Sequence, residues 1–231
     1  MALALSRRRR KTQRRSRHRW GEIVVARGKL WGEWFTASPM NWLAHLYLSD
    51  PEPACRIGNL LPDFIRAKVI AELPAEFHAG IVQHRRIDAF TDTHPVFRRS
   101  TRRFAPPFRR YGGILVDVFY DHFLARAWPS FSLTPLPDFA AQVYASFDTL
   151  RPLLPAEAHA RLCQMREADW LCLYAKISGV EDVLRRLSHR LRRPFDLASA
   201  VPILRADYEL FAADFHEFFP QLRAFSSSGA P

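Results

Sequence analysis

The stretch PAEFHAGIVQHRRIDAFTD, residues 74–92, decides the fold class. Pro74 suits the first turn of a helix, and Thr93-His94-Pro95 stops one. Between them Phe77, Ile81, His84 and Asp88 recur at spacings of four, three and four, which puts them on one helical face. The first half of that stripe is apolar, as a core face should be. The second half is imidazole and carboxylate, and Thr91 and Asp92 carry it a further turn. A helix that turns ionisable groups toward its own core marks a site as well as a fold.

The pattern stays helical on both sides. Upstream, Asn41 is placed to cap a helix through Leu43, Leu46, Tyr47 and Leu48 that ends near Asp50-Pro51. Residues 54–69 read as a second helix bent at Pro62. Downstream, helices are expected at 96–104, 114–126, 138–154, 156–165, 169–177, 180–191 and 201–218. Nothing in the sequence alternates as paired strands do, and no repeat is visible. The expected fold is all-α, a compact multi-helix bundle.

Composition agrees with a globular chain: 48% of the 231 residues are hydrophobic and 13% aromatic. The net charge of +11 is unevenly spread. Eleven of the 34 Lys and Arg lie in residues 1–39, against only Glu22 and Glu33. The rest of the chain is close to neutral. Residues 7–19 read as a nucleic-acid-binding arm or a solvated run. The preferred expectation is that Met40-Asn41-Trp42-Leu43 is the natural beginning and that 1–39 is a basic extension from a mis-called start. The expected division is thus 1–39 extension, 40–225 helical domain and 226–231 frayed tail.

Several function classes are disfavoured. No apolar run approaches the ~20 residues of a membrane span. Cys55, Cys163 and Cys172 are odd in number and form no CxxC pair, which argues for reduced thiols in a cytoplasm. The chain has no nucleophile-elbow serine and no glycine-rich phosphate or dinucleotide loop.

The candidate chemistry lies in polar residues set among apolar ones. Helix 114–126 carries Asp117, Asp121 and His122 among Ile114, Leu115, Val118, Phe119, Tyr120 and Phe123. Groups of this kind need partners, because an unpaired buried charge is strongly destabilising. His45 follows Leu43-Ala44, and Asp63 sits between Pro62 and Phe64. The resulting set is His45, Asp63, His84, Asp88, Asp117, Asp121 and His122. Mixed imidazole and carboxylate donors on helices suit Mn²⁺, Fe²⁺ or Zn²⁺, with Mg²⁺ tolerated. Each member also has a plainer reading. His45 could be a satisfied core histidine, Asp88 a partner of Arg85 or Arg86, and Asp117 an exposed carboxylate near a helix N-terminus.

Four separated motifs carry a family resemblance: Met40-Asn41-Trp42-Leu43-Ala44-His45-Leu46, Gly58-Asn59-Leu60-Leu61-Pro62-Asp63-Phe64, His84-Arg85-Arg86-Ile87-Asp88 with Thr91-Asp92, and Asp117 through Asp121-His122-Phe123-Leu124. In order and spacing they resemble the acyl carrier protein phosphodiesterases, from Met40 to about Phe225. The resemblance implies hydrolysis of the phosphodiester that links 4′-phosphopantetheine to a serine of holo acyl carrier protein. It also implies a fold related to the HD-type phosphohydrolases and a divalent metal, Mn²⁺ by preference, with Mg²⁺ or Fe²⁺ possible. The adjacent pair here reads Asp121-His122, the reverse of the HD order.

The expected site follows from these readings. His45, Asp63, Asp121 and His122, with Asp88 or Asp117, are expected to hold the metal. Asp63 matches a position associated with catalysis in the family. His84 or a carboxylate is expected to take the proton of water, and Arg85 or Arg86 to meet the charge of the diester. Arg98, Arg99, Arg102, Arg103, Arg109 and Arg110 are expected to dock the acidic carrier protein. The alternatives are an HD-like phosphohydrolase acting on a nucleotide or other small phosphodiester, and a basic helical nucleic-acid-binding protein resting on residues 7–19.

Overall fold

The central helix is the one that buries the most residues. In a computed structural model that describes residues 41–228, Gly112–Arg126 is helical and buried almost all round, which only a helix surrounded by others can be. The expectations placed on residues 1–39, including the basic arm, lie outside the described residues.

Thirteen α-helices run in chain order among the described residues, and no strand is present there. They are α1 (Trp42–Leu48), α2 (Pro53–Gly58), α3 (Leu61–Phe64), α4 (Ala67–Ile70), α5 (His78–Thr93), α6 (Pro95–Thr101), α7 (Gly112–Arg126), α8 (Leu136–Thr149), α9 (Ala156–Glu167), α10 (Trp170–Leu173), α11 (Ile177–Ser188), α12 (Val201–Ala206) and α13 (Tyr208–Ser227). The all-α expectation holds. Helix α7 packs against α1, α6, α11 and α13. Phe211, Phe215, Phe218 and Phe219 of α13 fill the space beside it, with ring contacts to Phe104, Phe119, Tyr120 and Phe123.

Helix α5 lies across α2 at very short range. A Cβ at Gly80 would overlap the Cys55 carbonyl oxygen, and one at Gly58 would overlap that of Phe77. The two glycines let the backbones meet, and this crossing sets where His84 and Asn59 stand relative to each other.

Several expected boundaries change. The helix expected over 54–69 is three short pieces, α2, α3 and α4. Pro62 does not bend a helix there. It occupies the first turn of α3, where its missing N–H is harmless. The helix expected over 201–218 divides at Asp207, and the second part continues past Pro220 to Ser227. Ser226, placed in a frayed tail by its composition, accepts a hydrogen bond from Gln83 and donates to the Leu48 carbonyl. Asn41 does not cap α1 with its side chain. That role is taken from a distance, by Asp121 of α7.

Candidate metal centre

Four side chains converge where α1, α3 and α5 meet. His45 Nε2 lies 3.4 Å from Asp88 Oδ1, and His84 Nε2 lies 3.3 Å from Asp88 Oδ2, so each oxygen of one carboxylate faces a different imidazole. The two rings stack with centroids 4.4 Å apart. Asp63 Oδ1 stands 3.7 Å from His84 Nε2. Donor atoms of His45, His84 and Asp88 all fall within 4.8 Å of one another. Such spacings are long for charge-assisted hydrogen bonds and suit donors arranged about a shared cation.

The tautomers follow from the neighbours. Asn59 Nδ2 donates to the His45 carbonyl and to Ser49 Oγ, which leaves its Oδ1 as an acceptor. His45 Nδ1 sits 2.8 Å from that oxygen, and His84 Nδ1 sits 2.8 Å from the Asn59 carbonyl. Both Nδ1 atoms must therefore donate. Both Nε2 atoms are then presented toward the carboxylates, and a neutral ring offers a lone pair there. His45 Nε2, His84 Nε2 and Asp63 Oδ1 are buried without a hydrogen-bond partner, a set of orphans that a cation would satisfy.

Electrostatics tie the group together. Burial disfavours the charged form of His84, but Asp88 and Asp63 outweigh it and lift the pKa to about 9. Burial lifts the Asp63 carboxyl to about 6, against the pull of His84 and His45. Burial also opposes ionisation of Asp88, yet His84 and His45 hold it well below the usual carboxylate range. Asp63 is further fixed by Trp42, whose indole N–H donates to Oδ2 at 3.1 Å. Asp88 keeps 14% of its side-chain surface exposed, which opens the group to solvent.

The other expected members are not among the donors that converge there, although Asp121 lies within reach of the Asp63 charge. Asp121 accepts the backbone N–H groups of Leu43 and Ala44, each at 2.9 Å, and so caps α1. Burial pushes its pKa up against those two amides. His122 has a partner on each nitrogen, the Tyr174 carbonyl at 2.7 Å and Tyr208 Oη at 3.0 Å, and burial lowers its pKa. Asp117 is buried on α7. Arg85 is exposed, and the Arg86 guanidinium lies over the Phe225 ring.

Most of the arginine stretch has internal work. Arg99 and Arg103 both bind the buried carboxylate of Asp214, which also accepts from Ser100. Arg98 donates to the Asp92 carbonyl and Arg109 to that of Phe104, while Arg110 covers Tyr111 and Phe195. Arg102 is exposed. Arg98, Arg99, Arg109 and Arg110 are exposed as well, and Arg103 is half-buried.

Two features escaped the sequence reading. Asn59 was visible only as one polar residue between Gly58 and Leu60, and an amide is not a usual metal ligand. His159 and Cys163 stand four residues apart on α9 with the thiol 3.7 Å from the ring, a pairing that the i,i+4 spacing itself displays.

Comparison with known proteins now adds to the geometry. Residues 40–222 match the family model described as acyl carrier protein phosphodiesterase. The chain belongs to the acyl carrier protein phosphodiesterase family. Among curated family members it is 34% identical to an acyl carrier protein phosphodiesterase of Yersinia pestis over 186 residues, covering 79% of this chain and 95% of that one. It is 32% identical to one from Escherichia coli over 197 residues, covering 83% of this chain and all of the other. No solved structure matches. The span matched by the family contains all four converging side chains and Asn59.

Proposed function

We propose that this chain is a metal-dependent phosphodiesterase that hydrolyses holo acyl carrier protein to the apo form and 4′-phosphopantetheine. The observation that carries the reading is the pair of Asn59-directed imidazoles whose buried Nε2 atoms meet Asp88 and Asp63. Two imidazoles with two carboxylates fit Mn²⁺ or Fe²⁺, and Mg²⁺ less well because it prefers oxygen donors. When bound, the ion would act as a Lewis acid on the phosphoryl group and lower the pKa of water.

The chain's own residues divide the remaining tasks. His45, His84 and Asp88 would hold the ion, with Asp63 beside it. Asp63, oriented by Trp42 and lifted to about 6, would take the proton of the attacking water. Arg85, exposed on the same helix as His84, would meet the charge of the diester. Asp117, Asp121 and His122 keep the scaffold in place. A role in the cytoplasm accords with the three unpaired cysteines. The catalytic domain would be 40–225, with 1–39 an extension.

Incubation of holo acyl carrier protein with the full chain and Mn²⁺ tests this. The expected result is loss of the phosphopantetheine mass from the carrier, abolished by chelation and by Asp88→Asn. A folded, Mn²⁺-loaded protein that leaves the carrier mass unchanged would sink the reading.

A further inference from the structure

Two further buried side chains stand on the helix faces that build the metal centre. Thr91 follows His84 by seven residues and Asp88 by three, so the three share one face of α5. Asn41 precedes His45 by one turn, and its carbonyl accepts the His45 N–H at 3.0 Å. The contacts between α1 and α5 run antiparallel: Gln83 donates to the Leu48 carbonyl at 2.6 Å, while His45 meets His84 and Asp88. Each step toward the start of α1 is therefore a step toward the end of α5. That register carries Asn41 past Asp88 to the level of Thr91.

Asn41 is 5% exposed and Thr91 4%. Among the described residues, Asn41 Oδ1 and Thr91 Oγ1 find no hydrogen-bond partner, which they share with His45 Nε2, His84 Nε2 and Asp63 Oδ1. A helical threonine has a ready acceptor in its own preceding turn. Thr93 uses it, donating to the Ala89 and Phe90 carbonyls. Thr91 does not, so its hydroxyl is turned elsewhere. Asn41 gives no side-chain bond to α1 either, whose Leu43 and Ala44 amides belong to Asp121. One helical turn is about 5.4 Å, which sets Asn41 and Thr91 too far out to share an ion with the imidazoles and at the right remove for a molecule beside it. Asn41 Oδ1 only accepts, so that molecule must bring a proton, and an ionised phosphoryl oxygen has none. A buried acceptor and a hydroxyl are the ordinary setting of an ordered water.

We propose that Asn41 and Thr91 hold the water that attacks the phosphodiester. This rests on the phosphodiesterase reading above. The water donates one proton to Asn41 Oδ1 and accepts the Thr91 hydroxyl proton, which leaves its second proton for Asp63. Asp63 takes that proton as the water oxygen bonds to phosphorus. The bond from phosphorus to the serine oxygen then breaks. The serine oxygen takes a proton from solvent, to which Asp63 returns its own. Asn41 and Thr91 bind no ion and exchange no proton in this sequence. They fix the direction of the one molecule that the reaction consumes.

Hydrolysis of holo carrier protein by the full, Mn²⁺-loaded chain and melts of the metal-free chain test this on Thr91→Val, Thr91→Ser and Asn41→Leu. Valine keeps the shape of threonine without its hydroxyl, and leucine nearly that of asparagine. In Thr91→Val and Asn41→Leu, kcat is expected to fall by about 10- to 100-fold, with KM and Mn²⁺ affinity within about twofold of wild type. Thr91→Ser should keep most of the activity. Should Asn41→Leu not fold, the two Thr91 variants decide alone. The melts read the water without catalysis: removing a hydroxyl that holds one lowers the melting temperature, whereas removing a dry, unpaired hydroxyl raises it. Full kcat in Thr91→Val, or a raised melting temperature, overturns the proposal. So does a loss of Mn²⁺ affinity in step with kcat, which would make the two residues ligands. A wild-type chain that hydrolyses the carrier, with Thr91→Val unimpaired, removes the water-holding pair alone. A wild-type chain that leaves the carrier intact removes the phosphodiesterase reading and the role of this water with it.

Discussion

Asn59 directs His45. Its side-chain oxygen stands 2.8 Å from His45 Nδ1, its side-chain nitrogen donates to the His45 carbonyl, and its own carbonyl takes His84 Nδ1. A single residue that binds no metal thus sets the ring orientation and proton position of both imidazoles. Asn59→Ala should weaken Mn²⁺ binding by about 10- to 100-fold, the usual effect of losing such a support. It should also destabilise the fold by about 1–3 kcal/mol through the buried groups left unpaired. Titration calorimetry and thermal melts read the two effects separately.

His45 and His122 should behave differently although both are buried histidines. His45→Ala removes a donor that faces Asp88, and Mn²⁺ affinity should fall by at least about 100-fold. His122→Ala removes two hydrogen bonds that involve none of the converging donors, so about 1–3 kcal/mol of stability should be lost with metal affinity nearly unchanged. Equal loss of metal binding in the two variants would return His122 to the ligand set.

The metal-free protein should lose stability as the pH rises from 6.5 to 9. His84 is raised from 6.5 to about 9 in the folded state, so the folded chain holds a proton there that the unfolded chain releases. The contribution is complete below 6.5 and gone above about 9. Asp63, raised from 3.8 to about 6, acts in the same sense in a lower window, and the depressed Asp88 acts in the opposite sense only as the pH falls below 3.8. Asp121, which burial also raises, acts in the same sense, so the interval from 6.5 to 9 is the window of His84 without being its alone. Mn²⁺ must displace that proton, so its affinity should climb by up to about tenfold per pH unit in the same interval. Melts of chelator-treated His84→Gln should fall less across that interval than those of the wild type.

Charge changes in the arginine stretch should separate docking from folding. Arg103 binds buried Asp214, and Arg103→Ala should cost about 1–3 kcal/mol in denaturant titration. Arg102 is exposed, and Arg102→Glu should leave stability within about 0.5 kcal/mol. If Arg102 meets the acidic carrier, that variant should raise KM at low salt with kcat unchanged.

Gly80→Ala should be among the most damaging single-methyl changes in the chain. The added carbon meets the Cys55 backbone, which has no rotamer to give. A loss of about 3 kcal/mol is expected, with Mn²⁺ affinity falling in whatever protein remains folded.

How much of this was legible depended on distance along the chain. The stripe from Phe77 to Asp88 is local, and its period alone put His84 and Asp88 on one face, where the structure has them. His45 and Asp63 were recognisable as polar residues in apolar company, and both joined the group. Asp121 and His122 looked the same by that criterion. What separates them is the partner: the Leu43 amide lies 78 residues from Asp121, and the Tyr174 carbonyl 52 residues from His122. A sequence shows that a buried polar group needs a partner without showing whether a metal or a backbone supplies it. Helix content was readable for the same reason that boundaries were not. Periodicity survives in α2, α3 and α4 although Asn59 turns its side chain to His45 between the first two.

The crossing at Gly80 bears on which ions the chain can use. Two of the four converging side chains, His84 and Asp88, hang from α5, and Asn59, which directs both imidazoles, follows α2; the backbones at that crossing are already in contact. The donors have no room to spread. An ion such as Ca²⁺, which gathers six to eight oxygens at about 2.3–2.6 Å, would require the helices to part. A smaller cation content with nitrogen donors would not. Size discrimination would then be a mechanical property, written into a missing methyl group a full turn away from the nearest ligand.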